Sequence, residues 1–178
     1  LQDKLKLKKS VLAFDITLGC SGYVYGLSVI NNFLQGGQFK QALLLAGDKS
    51  TISTSYEDRS AYPLFGDAGT ATLLEFDDKA SDMFFNLNSD GSGKNAIIIE
   101  HGHSRHPYTA ESDIITELEP GVKRAKKHLA LNGQDIFTFA LKEVAPNVNE
   151  TLKAANKTVV DIDQFVMHQA NKLINETV

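Results

Sequence analysis

Two short apolar runs enclose one helical stretch near the start of the chain, and this order constrains the fold more than any other feature. "SVLAFDITL" (Ser10–Leu18) is rich in β-formers and reads as a buried strand. "CSGYVYGLSVINNFLQGG" follows and reads as a helix from about Cys20 to Gln35, stopped by Gly36 and Gly37. Gly22 and Gly26 lie one turn apart, which predicts a helix face open to very close packing. Apolar residues cover most of the remaining helix surface, so burial on several sides is expected. "QALLLAGDKS" is then a continuous apolar run of the kind found in parallel strands covered on both faces. Strand, helix and strand in this order define an α/β class.

The same order recurs with less clarity. A turn at Phe65–Gly69 precedes a predicted strand at about Ala71–Phe76, and "DMFFNLNSDGSG" adds another strand and a Gly-rich turn. The segment from Asn95 to Gly121 reads as a loop-like insertion holding a short strand, and a further strand is expected near Leu129–Leu131. Ile136, Phe137, Ala140, Leu141, Val144, Val148 and Leu152 fall at helical spacing, with Pro146 placed to kink or interrupt that helix. "DIDQFVMHQAN" reads as a strand ending at His168, and Asn171 is placed to cap a following helix. The expected organisation is a first half over residues 1–80, an insertion or connection over 81–120 and part of a second half over 121–178.

Composition narrows the function classes. Hydrophobic residues make up 42% and charged residues 22% of the 178 residues, as in a soluble globular protein. The formal net charge of −4 argues against nucleic acid as a partner, because phosphate binding favours a basic surplus. No run of about 18 apolar residues is present, so no membrane span is expected. The opening "LQDKLKLKKS" lacks the apolar core of a signal peptide. With one cysteine no internal disulfide can form, and the cytoplasm is the expected compartment. The first residue is Leu and the last residues, "NKLINETV", read as the opening of a helix, so a piece of a longer protein is expected.

Cys20 stands where the first strand turns into the helix. A helix N-terminus presents unpaired N–H groups and roughly half a positive charge, which favour a thiolate and can hold an oxyanion. Two readings stand side by side for this thiol: a reactive nucleophile, or a core side chain filling a gap among small residues. His168 occupies a matching place, after a strand and before a helix. A neutral imidazole there can donate a hydrogen bond or move a proton, and a structural histidine bonded to backbone is the other reading. Equivalent strand ends of two αβ halves can converge on one crevice, and that convergence gives the pair its interest.

"AFDITLGCSGYVYGL", "FGDAGTATLLE", "LALNGQDIFTFAL" and "VMHQAN" occur in this order, and together they resemble the β-ketoacyl-acyl carrier protein synthase III family of the thiolase superfamily. The resemblance runs from about Leu12 to Asn171. It implies a thiolase-like fold of two pseudo-repeated halves in αβαβα layers, incomplete in this sequence. It implies that Cys20 takes an acyl group from coenzyme A. It gives His168 the role of assisting decarboxylation of a malonyl thioester and stabilising the enolate, so that the carbanion attacks the acyl-cysteine. The implied substrates are an acyl-coenzyme A and malonyl-acyl carrier protein, with no metal and no resident cofactor. The implied assembly is a homodimer. Asn132, Gly133, Phe137, Gln169, Asn171 and Lys172 are implied to border the substrate or the carrier. The family's catalytic asparagine lies beyond this sequence and is neither Asn171 nor Asn175. The arginine that the family often places after "HQAN" is replaced here by Leu173. The fragment alone is expected to be inactive.

Two alternatives to the function that the resemblance implies remain open. The fold class also hosts acyl transfer to hydroxyl or amine groups without carbon–carbon bond formation, and a non-catalytic module acting through dimerisation or carrier binding is the other. Smaller signals have simpler readings. "NLNSDGSGKNAI" opens like a calcium loop but has Ile97 where the closing glutamate belongs. His101, His103 and His106 fit no common zinc spacing. Asp67 in "FGDAG" reads as a turn residue rather than part of a phosphate loop. "KRAKKH" (Lys123–His128) is read either as a solvated face or as a basic patch that steers an acidic carrier protein.

Overall fold

The first predicted helix forms as α1, Gly22–Gln35, two residues later than Cys20. The structure, a computed structural model, describes residues 1–178. It resolves into two compact units, residues 1–46 with 71–79 and residues 47–70 with 80–178.

In the first unit, α1 begins after the N-cap Ser21 and ends at Gly36, with Gly37 at φ +72 as the glycine punctuation requires. Gly26 is buried, and a Cβ there would stand 2.7 Å from Leu44 Cδ1, so the predicted close approach is real at this glycine. Tyr23 Oη lies 3.1 Å from Thr72 Oγ1 and ties the helix to the strand at that residue. The expectation of burial on several sides does not hold: only Gly26 and Leu34 are buried, and Tyr23, Val24 and Phe33 are exposed. Residues 10–18 form no strand. A strand exists through ladder bonds to a neighbour, and this segment has none; its side chains Val11, Leu12, Phe14, Ile16 and Leu18 are 37–55% exposed. Phe14 is held instead by an aromatic contact with Phe33, which in turn meets Phe39 edge-on.

Strand β1, Gln41–Lys49, pairs with β2, Asp67–Glu75. Phe76 N donates to Lys40 O at one end, while Gly47 faces Ala68 and Gly69 at the other, so the pair is antiparallel. The parallel, doubly covered reading of "QALLLAG" is therefore corrected: alternate residues of β1 are half-buried and the others exposed. An apolar run alone does not encode the direction of its neighbour.

The second unit contains the helix expected from residue 136 onward. It is α2, Gly133–Ala154, and it runs unbroken through Pro146. Ala140 and Leu152 are buried and Val144 and Val148 half-buried, which is the one-face spacing the sequence shows. Asn132 caps it by accepting from Asp135 N at 3.2 Å. The strand read in "DMFFNLNSDGSG" does not form; the side chains of Asn86 and Asn147 instead each donate to the other's backbone carbonyl, and Asn86 also donates to Glu150 on α2.

The insertion is more ordered than its composition implies. β3, Ile97–Ile98, pairs antiparallel with β6, Ala130–Leu131, and β4, Thr116–Glu119, pairs antiparallel with β5, Val122–Arg124. Pro120 and Gly121 join β4 to β5. Gly121 has φ +78, which suits the second central position of a type II turn. Asp58 is fully buried beside this hairpin, bridges to Val122, and accepts from Ser60 N at 2.9 Å, Ser60 Oγ at 2.5 Å and Arg124 at 2.8 Å. The strand expected to end at His168 is absent, while α3, Lys172–Thr177, forms as expected under Asn171 and packs against α2.

Candidate active site

Cys20 is a free, exposed thiol in the first unit. The turn that presents it is closed by Gly22 N donating to Gly19 O at 2.8 Å and Tyr25 N donating to Ser21 O at 3.1 Å. Ser21 makes no side-chain cap, so the first-turn amides of α1 are not taken by their own N-cap. Cys20 thus precedes the helix rather than opening it, one residue ahead of the N-cap. The arrangement suits a nucleophile reached from solvent just ahead of a helix N-terminus.

His168 is exposed in the second unit, with its carbonyl accepting from Ala170 N at 3.0 Å. Gln169 beside it is exposed. Asn171 uses its side chain as the α3 cap, accepting from Ile174 N at 2.9 Å, and Lys172 pairs with Glu176 at 3.6 Å on the open surface. At the start of α2, Gly133 is exposed and Phe137 half-buried, and Asn132 is committed to Asp135 as both acceptor and donor. The structure therefore groups His168, Gln169, Asn171 and Lys172 around one chain turn, and Asn132, Gly133 and Phe137 around one helix start. Both asparagines have a capping role independent of any substrate.

The basic run is largely spoken for. Lys123 pairs with Glu117 at 3.6 Å, Arg124 with the buried Asp58, and Lys127 with Asp113 at 2.5 Å. Lys123, Arg124 and Lys127 thus sit in local ion pairs, and Lys126 is exposed. Asp67 reaches back to Thr51, accepting from its N at 3.0 Å and its Oγ1 at 2.7 Å, and these bonds hold its carboxyl below the usual range. His101 Nδ1 lies 3.0 Å from Ser112 Oγ, and its ring stacks on His106.

Asp58 is the polar residue that sequence reasoning missed. Burial pushes its carboxyl up, but Ser60 and the Arg124 guanidinium together outweigh that and hold it below the usual range. The local signal was "EDRS", an Asp two residues before a Ser, as in a turn closed by the Asp side chain.

These features stand beside close similarities to known proteins. A structure of a 3-oxoacyl-(acyl-carrier-protein) synthase III matches with a TM-score of 0.94 and 32% identity, over 99% of this chain and 53% of that one. The 3-oxoacyl-(acyl-carrier protein) synthase from Burkholderia xenovorans LB400 matches with a TM-score of 0.83 and 36% identity, over 99% of this chain and 49% of that one. The fold is therefore α/β of the thiolase-like class. A family model described as 3-Oxoacyl-[acyl-carrier-protein (ACP)] synthase III matches residues 14–91, which include Cys20. The β-ketoacyl-[acyl-carrier-protein] synthase III of Streptococcus pneumoniae strain Hungary19A-6 is 30% identical over 162 residues, 91% of this chain and 47% of that protein. The chain is thus similar in sequence and in fold to 3-oxoacyl-[acyl-carrier-protein] synthase III proteins, and it spans about half the length of the curated relatives it matches.

Proposed function

We propose that this chain contributes the nucleophile and the histidine of an acyltransferase that performs decarboxylative Claisen condensation. Cys20 Sγ attacks the carbonyl carbon of an acyl-coenzyme A, the thiolate of coenzyme A leaves, and an acyl-cysteine forms. First-turn amides of α1 are the donors for the oxyanion of that step. Malonyl-acyl carrier protein then loses CO₂, and His168 donates a hydrogen bond to the enolate oxygen. The carbanion attacks the acyl carbon, the Cys20 thiolate departs, and a 3-oxoacyl thioester remains on the carrier. Loss of CO₂ generates the nucleophile, so the residues need no metal.

The observation that carries this reading is the lone exposed thiol just ahead of α1, inside the residues that match the family. Gln169 and Lys172 beside His168, and Gly133 and Phe137 at the start of α2, border substrate or carrier in this reading; Asn132 and Asn171 shape the same edges as caps. A cytoplasmic homodimer completes it, on the strength of the family resemblance.

The test is His168→Ala in the intact protein that contains these residues. Acyl-enzyme formation on Cys20 is retained, while CO₂ release from malonyl-acyl carrier protein and the condensed product are lost. A variant that still condenses at the wild-type rate removes His168 from the mechanism. Acyl transfer to a hydroxyl or amine with no dependence on a malonyl thioester replaces the condensation with plain acyl transfer.

A further inference from the structure

The turn Ala125–His128 in the second unit is a crossing point for three other segments. Lys126 O accepts from His101 N at 3.1 Å, Lys127 N donates to Ser112 O at 3.3 Å, and Leu129 N donates to Ser53 O at 2.7 Å. Arg124, one residue before the turn, holds Asp58 at 2.8 Å. Two bonds close the turn itself: His128 N donates to Ala125 O at 2.9 Å, and Ala125 N donates to His128 Nδ1 at 3.1 Å. Ala125 is 3% exposed, so its N–H has no water to replace the imidazole.

Nδ1 accepts a hydrogen bond only when the ring is neutral with its proton on Nε2. A doubly protonated ring presents an N–H at Nδ1 to the N–H of Ala125. The bond is lost, two donors face each other, and a buried amide is left unpaired.

We propose that His128 is a proton-sensitive latch: its neutral ring closes the Ala125–His128 turn and thereby holds residues 97–131 against residues 53–58, and protonation opens it. The charges that act on the ring are Lys127 from the turn, Asp113 from the segment before β4, and Asp58 from the buried turn at 58–60. Both anions are already engaged, Asp113 by Lys127 and Asp58 by Arg124. Burial, and then Lys127, hold the imidazole below its ordinary range, and the two carboxylates oppose this without reversing it. A depressed folded value means that the stability contributed by the neutral ring is complete above the unfolded histidine value of about 6.5 and is lost as pH falls through the folded one.

The test is amide hydrogen exchange on the intact protein that contains these residues, corrected for intrinsic pH dependence, at about pH 7.5 and about pH 5. Acidification is expected to lower protection at Ala125, His101, Lys127 and Leu129 by about 10-fold or more, the scale of one lost buried hydrogen bond, while amides inside α2 are unchanged. His128→Asn keeps a carbonyl acceptor at similar reach and does not titrate, so it retains protection at both pH values. Equal acid loss in wild type and His128→Asn overturns the proposal and assigns the effect to another group, with the stacked His101–His106 pair first in line. Unchanged protection of the wild type at the lower pH overturns it as well. A measurement independent of any variant is the tautomer, read from the imidazole ¹⁵N shifts near neutral pH: a proton on Nε2 is expected, and a proton on Nδ1 refutes the latch.

Discussion

Replacing Arg124 by Met strips the buried Asp58 carboxylate of its only charged partner. The two groups meet at 2.8 Å, Asp58 is fully buried, and the Arg124 side chain is 19% exposed. Two unit charges about 4 Å apart interact by about 4 kcal/mol at an effective dielectric near 20, and breaking a buried pair from one side costs about 3–5 kcal/mol. Ser60 still donates twice to Asp58 and Arg124 is partly solvated, so the lower end, about 3 kcal/mol, is the expected loss. The assay is urea unfolding, read as a shift in midpoint at constant slope. Asp58→Asn in the Arg124→Met background should recover part of the loss, because no buried charge is then left alone. The pH dependence has a defined sign. Asp58 titrates below its ordinary range in the wild type, so its contribution is complete above the unfolded carboxylate value of about 3.9 and fades as pH falls through the folded one. Arg124→Met removes much of that slope. A loss below about 1 kcal/mol, as for an exposed pair, with no change in the acid limb, refutes the assignment of Asp58–Arg124 as a buried, coupled pair.

Gly121→Ala places a Cβ 2.9 Å from Arg59 Cδ at φ +78 and should cost about 1–3 kcal/mol, read by thermal unfolding; an unchanged midpoint contradicts the turn. Asn132→Ala should cost about 1 kcal/mol through the lost α2 cap, and Asn132→Asp should restore most of it, with circular dichroism melts as the readout.

The elements that formed as read have local signals. The Gly36–Gly37 stop bounds α1, Asn132 and the i, i+4 apolar stripe define α2, and Asn171 starts α3. The elements that failed depend on neighbours elsewhere in a chain. Residues 10–18 and 162–168 have strand composition yet no ladder partner, and β1 has an antiparallel neighbour that its own residues do not specify. The β4–β5 hairpin has a visible Pro120–Gly121 turn, but its strands are so short and polar that alternation is faint. Asp58 had only the local "EDRS" signal because its charged partner lies 66 residues away, and the carboxylates that meet Lys123, Arg124 and Lys127 lie outside the basic run itself. At the candidate site, the Cys20 turn is written in its small residues and the first turn of α1. The role of His168 rests on the "HQAN" resemblance, since its predicted strand did not form.

The most direct measurement is intact mass of the protein containing these residues after incubation with a panel of acyl-coenzyme A thioesters, beside its Cys20→Ser variant. The account predicts one added acyl group, mapped by peptide digestion to Cys20 and absent from the variant. An adduct of the same size in Cys20→Ser, or no acyl adduct from any thioester in the panel while Cys20 still reacts with an alkylating reagent, contradicts it.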